Sequence, residues 1–346
     1  MSIFDIFKSK WTPRYMDEND RRKIFWYLKR KSSYTAWEAR ARAFDNFAAV
    51  FERQAREEPI FREAGTDPEW GTNWEQFYVQ VLKAQVLYEQ GLDRLRLGDR
   101  SVWRYNSQGV LLDALNIQNY WWTALVNNGP HGDIFFQGKY IKEMTDAIDA
   151  AALYVKATAG IVESTQVEPP AHDFWSKETM NRLNRNVPFP ENLPDVPEPV
   201  QDICVSTGQP VPCFGIFEPL VPDGCMNYLL EGASAPRAVN EDEANGGLIV
   251  RPAAWRLIWE DTRYLDGTIP TEEKSYFTHA IAPQDPAPST FVDPAPLVQQ
   301  GSNQLASRTG AWVLSNRLDI RRHFEAGDRL PQYEGHDVIW IWADKD

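Results

Sequence analysis

The chain has 346 residues, 43% hydrophobic and 13% aromatic, with a net charge of −13. That length predicts two or three domains, and the apolar content suffices for a buried core. No apolar run approaches the roughly 18 uninterrupted residues of a membrane span. The opening Met1-Ser-Ile-Phe-Asp-Ile-Phe-Lys8 has an acid at position 5 and too short an apolar stretch for a secretory signal.

Charge is unevenly placed. From Glu198 onward there are 22 acids and 11 bases, a net of −11, which leaves −2 for the first 197 residues. Lys8 to Lys31 holds nine bases and three acids. An acidic surface disfavours nucleic acid and suits a basic partner. Simple solubility explains the charge equally well. Three cysteines, Cys204, Cys213 and Cys225, fit a reducing compartment better than a disulfide scaffold. The expectation is a soluble, cytoplasmic protein.

Residues 17 to about 160 read as helices. Glu18–Lys31 forms the first, around the aromatic centre Phe25-Trp26-Tyr27. Trp37, Ala41, Phe44, Ala48 and Phe51 place one apolar face on a helix over 36–57. Trp74, Phe77, Val81, Ala84 and Tyr88 do so over 74–97, with Asn73 as the N-cap. Leu111, Leu115, Trp122 and Leu125 mark a helix over 101–127 that Asn127-Asn128-Gly129-Pro130 stops. Ile141, Met144, Ile148, Ala151 and Val155 mark a fifth over 134–159. Short connections predict an antiparallel bundle for residues 1–160. A Pro-rich linker follows at 161–202, with a short helix near Trp175–Leu183.

Residues 203–346 read as strands. Gly215–Pro219, Cys225–Leu230, Trp255–Trp259, Gly310–Leu314 and Val338–Trp342 are short apolar runs between Gly and Pro. The series Gln209, Gly215, Phe217, Gly232, Pro236 has the same spacing as Gln304, Gly310, Trp312, Gly327, Pro331. Matched Gly and Pro mean matched turns. Trp-rich runs follow each series, and Trp259 pairs with Trp342, after Trp340, in this reading. The fold class is therefore α+β: a helical bundle, then a β-rich domain of two related β repeats, about 203–282 and 297–346. The first repeat carries about a dozen extra residues, including the acidic turn Glu241-Asp242-Glu243. Pro283–Pro296 is a second insertion, between the repeats.

No catalytic set emerges. The cysteine spacing lacks the close pairs of zinc sites, and the five His form no metal-binding pattern, so no metal is expected. The cysteines read as buried apolar residues. G-x-S-x-G and phosphate-binding Gly loops are absent, so no cofactor is expected. Glu260-Asp261 and Glu272-Glu273 are paired carboxylates that could divide acid and base roles. They serve equally as a solvated acidic rim. The basic, aromatic stretch Lys8–Lys31 resembles a nucleic-acid site in isolation. On an amphipathic helix it reads instead as one solvated face and one core face. The profile fits a binding protein, with an enzyme using the paired carboxylates and a homodimeric scaffold as alternatives.

Thr207–Pro219, Gly224–Leu229, Ala235–Arg237, Trp255–Asp261, Tyr264–Pro270, Arg321–Pro331 and Ile339–Trp342 together resemble the Immunity protein 71 and Immunity protein 72 families. The resemblance covers roughly the last 145 residues, and the helical half agrees in general layout. It implies a bacterial protein encoded beside a polymorphic toxin, delivered for instance by type VI secretion. It implies that the chain blocks that toxin by binding it, and it carries over no catalytic residue. The acidic C-terminal half then suits a basic toxin domain. Glu241, Asp242, Glu243, Glu260, Asp261, Glu272 and Glu273, where the repeat is broken or flanked by acid, are the expected contact residues.

Overall fold

The computed structural model describes residues 16–61, 72–104, 108–127, 137–158, 188–200, 203–242, 247–277, 298–315 and 317–343. The helices are α1 (Glu18–Lys31), α2 (Tyr34–Glu57), α3 (Trp74–Arg96), α4 (Val110–Trp122) and α5 (Ile141–Thr158). Two short antiparallel strands, β1 (Ile60–Phe61) and β2 (Thr72–Asn73), join α2 to α3. Asp17 caps α1, accepting from the Asp20 amide at 2.8 Å, and Asn73 caps α3, accepting from the Gln76 amide at 2.9 Å. The predicted 101–127 helix begins later: Arg100–Trp103 is a separate 3-10 turn. It ends in a π turn at Thr123–Asn127. The linker helix near Trp175–Leu183 and the Pro283–Pro296 insertion lie outside the described residues.

The C-terminal half forms antiparallel sheets, as expected. One sheet has the order β3 (Cys204–Ser206), β8 (Ala254–Glu260), β4 (Gly215–Pro219), β5 (Asn227–Leu229). The other has the order β9 (Gln299–Gly301), β12 (Ile339–Trp342), β10 (Gly310–Leu314), β11 (Arg317–Phe324). Strand for strand the two orders match, so the Gly/Pro skeleton is a true structural repeat. Registers agree as well. Gly215 faces Leu229 as Gly310 faces Phe324, and Phe217 faces Leu257 as Trp312 faces Trp342. Trp255 therefore corresponds to Trp340, and Leu257, not Trp259, corresponds to Trp342. The first repeat's insertion is thus ten residues, because Pro236 to Trp255 spans nineteen positions and Pro331 to Trp340 spans nine.

The skeleton residues build a lid over one face of each sheet. Gly232 and Gly327 sit at φ +75° and +98°, a region that glycine enters without a Cβ penalty. Their amides bond Val211 O at 2.8 Å and Ala306 O at 2.7 Å. Trp255 Nε1 donates to Pro236 O at 2.8 Å, and Trp340 Nε1 donates to Pro331 O at 2.9 Å. Under the first lid pack Val211, Phe217, Ala235, Trp255 and Leu257. Under the second pack Ala306, Trp312, Leu330, Trp340 and Trp342. The central strands β4 and β10 are buried along their whole length, which is why β10 reads as a continuous apolar run and β4 as one broken only by Glu218.

By proximity the chain forms two compact units. Unit one comprises Met1–Ala39, Leu92–Leu112 and Leu153–Ala282; unit two comprises Arg40–Gly91, Asp113–Ala152 and Pro283–Asp346. Each combines helical segments with one four-stranded sheet. In unit two the sheet's other face meets α3, with Val313 and Ile341 packed on Val86. A ring cluster fills the helical part, with Phe51 4.8 Å from Trp121 and 5.3 Å from Trp74. In unit one the matching sheet positions are Glu218 and Arg256, and α1 answers with charge. Arg21 Nε donates to Glu218 Oε1 at 2.8 Å, and Arg256 Nε donates to Oε2 at 2.9 Å. The α1 helix has no simple solvated basic face: Arg30 and Lys31 are buried, and Arg30 lies 4.4 Å from the Trp26 ring. Burial pulls the Arg30 guanidinium down to about 10.

Candidate functional site

Of the acidic pairs, each has one member inside and one outside. Glu260 ends β8 exposed, while Asp261, one residue on, is buried. Successive residues of an extended chain point to opposite sides, so adjacency separates the two rather than pairing them. Asp261 accepts from Arg100 Nε at 2.9 Å and Nη2 at 2.8 Å, and from Arg263 Nε and Nη2 at 2.8 Å each. Tyr228 OH donates a fifth bond at 2.8 Å and the Arg263 amide a sixth at 3.2 Å. Two guanidinium forks on one carboxylate are the strong, planar form of an ion pair.

Glu273 extends this cluster. Its carboxylate lies 3.5 Å from Arg263 Nη1, accepts the Thr35 amide at 3.0 Å and accepts from Tyr264 OH. Tyr264 OH in turn accepts the Tyr34 amide at 2.8 Å. Arg263 meanwhile donates to Lys29 O and Ser32 O, both at 3.0 Å. A cation thus closes the C-terminal end of α1 and an anion the N-terminal end of α2, the placement each helix dipole favours. Tyr264 sits at φ +69°, an uncommon backbone for a bulky residue, held there by both bonds of its hydroxyl.

This arrangement is structural in its chemistry. Two arginines balance two carboxylates, all buried. Burial works against the Asp261 charge, but Arg263 and Arg100 more than offset it and hold the carboxyl well below the usual range. Burial and the Asp261 charge push the Tyr228 phenol well up. A carboxylate ionised at neutral pH and accepting six bonds has neither a proton to give there nor a free face for a substrate. Asp261 and Glu273 are therefore withdrawn as surface contact residues, since their partners are interior. Glu260 and Glu272 remain exposed, and Glu272 accepts from Lys29 Nζ at 2.9 Å.

The ten-residue insertion falls in a separate two-stranded sheet of β6 (Ala238–Asp242) and β7 (Gly247–Arg251). Its register runs from Ala238↔Arg251 to Asp242↔Gly247. Glu241 and Asp242 lie on β6, and Glu243 lies outside the described residues. Asn240 Nδ2 fastens the hairpin to the carbonyls of Pro222 and Asp223, 2.9 Å each. That same loop, with Met16, Glu218 and Arg256, lines an open pocket of about 490 Å³. In the second repeat the stretch matching the Pro222-Asp223 loop is already part of β11, and among the described residues no strand stands between Pro331 and β12 to match the hairpin. Sequence reasoning found the insertion and its acids but missed the apolar Leu248-Ile249-Val250 beside them. Its signal was Gly246-Gly247 before a β-branched run.

The cysteines are not uniformly buried. Cys225 is buried, Cys213 half-buried and Cys204 exposed, because the alternation of β3 turns Val205 inward and Cys204 outward. Among the described residues no group of three His, Cys, Asp or Glu could hold a metal ion. No described helix is long and apolar enough to cross a membrane.

The sequence matches the model of Immunity protein 71 over residues 15–185 and that of Immunity protein 72 over residues 221–277. The helical half thus carries more of the likeness than its general layout implied, and the second repeat lies outside both matches. No curated protein and no solved structure matches the chain. A toxin-neutralising role is what these families suggest. By these two matches the chain is similar to the Immunity protein 71 and Immunity protein 72 families.

Proposed function

We propose that the chain neutralises a cognate antibacterial toxin by binding it stoichiometrically, without catalysis. The two immunity-family matches carry this reading. The site's chemistry supports it, because Asp261 and Glu273 are spent on holding unit one together. The net charge of −13 supports a basic toxin surface as the target. Cytoplasmic residence belongs to the same reading for a toxin that acts in the cytoplasm, since a blocker must meet the toxin where it acts.

The test uses the inactivated toxin domain encoded beside the chain's gene. Calorimetry is expected to give one chain per toxin, and protection is expected to titrate to that same endpoint. Protection at far lower ratios would overturn blocking in favour of enzymatic reversal. Binding should weaken as salt rises; insensitivity to salt would remove the basic-surface part of the reading. Protection left intact by alanine at Glu260 and Glu272, the exposed pair members, would remove the enzyme reading; loss of protection with toxin binding unchanged would favour it.

A further inference from the structure

The β6–β7 hairpin is where the first repeat departs from the second, and among the described residues no strand covers the outer edge of β7. Leu248, Ile249 and Val250 are 54%, 42% and 46% exposed. They are consecutive, so both faces of β7 present apolar side chains to solvent. Among the described residues β7 pairs with β6 alone, and its other edge has no strand beside it. Edge strands that are not used are ordinarily blunted by Lys, Pro or a covering element. Here the first charge is Arg251 and the first proline is Pro252, both past the apolar run. The hairpin is nonetheless held in place, through Asn240 to Pro222 and Asp223 and through Arg251 Nη2 to Asn240 Oδ1 at 3.2 Å. A fixed, unpaired, apolar edge is the receiving half of strand addition, in which main-chain bonds give affinity and alternate side chains give specificity.

We infer that β7 receives an extended, basic segment of the toxin as an added strand. This rests on the proposed function and names the contact surface for it. Charge decides the occupant. Glu241 and Asp242 stand on β6 opposite Leu248 and Gly247, and the chain as a whole carries −13. A second copy would bring two acidic hairpins together. It would also join through only five residues a side, about 17 Å of strand, against the roughly 1,200–2,000 Å² of a stable interface. A segment with Lys or Arg flanking apolar residues gains both the edge bonds and the charge. Exposed Leu220, beside the hairpin's base through its amide bond to Ala254 O at 2.8 Å, extends the apolar surface towards the pocket.

The experiment compares the unmodified chain with Ile249→Lys, Leu248→Lys and the conservative Ile249→Val, against the inactivated toxin domain encoded beside the gene. Each Lys variant is expected to weaken binding at least tenfold with its melting curve unchanged, and Ile249→Val to stay within twofold. Hydrogen exchange is expected to be fast at alternate β7 amides in the free chain and slowed in the complex. Tight binding by both Lys variants overturns the inference while leaving the proposed function standing. Failure of the unmodified chain to bind overturns both. Slow β7 exchange in the free chain assigns the edge to the chain's own residues and overturns it. A dimer by light scattering that Ile249→Lys makes monomeric assigns the edge to a second copy, and also overturns it.

Discussion

Asp261→Asn isolates the buried cluster. The carboxylate accepts four guanidinium bonds, one from Tyr228 and one from the Arg263 amide. An amide of the same shape keeps one acceptor oxygen and turns an NH₂ donor towards donors. It also shifts the cluster from balance to a net positive charge shared by Arg100 and Arg263, both buried. Removing one partner of a buried pair costs about 3–5 kcal/mol. Glu260→Gln, one residue away and exposed, should change stability by no more than about 0.5 kcal/mol. Urea unfolding followed by tryptophan fluorescence measures both. With a slope of about 1–3 kcal/mol per molar urea, the Asn variant should lower the midpoint by about 1 M or more. Where the two units unfold in separate steps, one midpoint should move and the other stay. A shift of Asp261→Asn no larger than that of Glu260→Gln would refute the reasoning.

Acid should reveal the same group. The folded carboxyl of Asp261 titrates well below its unfolded value of about 3.9, so its contribution is complete above about pH 5, begins to fall as pH drops past about 4, and is fully lost only below the folded value. Stability measured from pH 6 to 3 should therefore fall more steeply in the unmodified chain than in Asp261→Asn; parallel curves would contradict this. Trp255→Phe and Trp340→Phe each remove the bond to a lid proline and leave a void, at a cost of about 2–4 kcal/mol each by denaturant unfolding. A cost at only one of them would break the equivalence of the repeats. A thiol reagent should label Cys204 at once and Cys225 only on unfolding. Cys213 should react slowly at neutral pH, since burial, then the charges of Glu260 and Glu231, push its thiol up to about 11.

The helices were legible because their apolar residues recur at i, i+3 and i+4, and caps such as Asn73 are local chemistry. The β repeat was legible for a steric reason. Gly at positive φ and Pro mark turns irrespective of surroundings, so matched spacing in sequence became matched lids over matched sheets. The equivalence of the tryptophans was not, because strand register depends on hydrogen bonds between residues far apart; only the ladder assigns Leu257, not Trp259, to Trp342. The acidic pairs show the same limit more sharply. Glu260 and Asp261 look alike in sequence, yet one meets water and the other meets Arg100, 161 residues away. Periodicity and turn chemistry are local and survive in a one-dimensional reading. Whether a charge is spent inside or offered to a partner depends on long-range neighbours, and only the tertiary structure decided that for Asp261, Glu273 and the bare edge of β7.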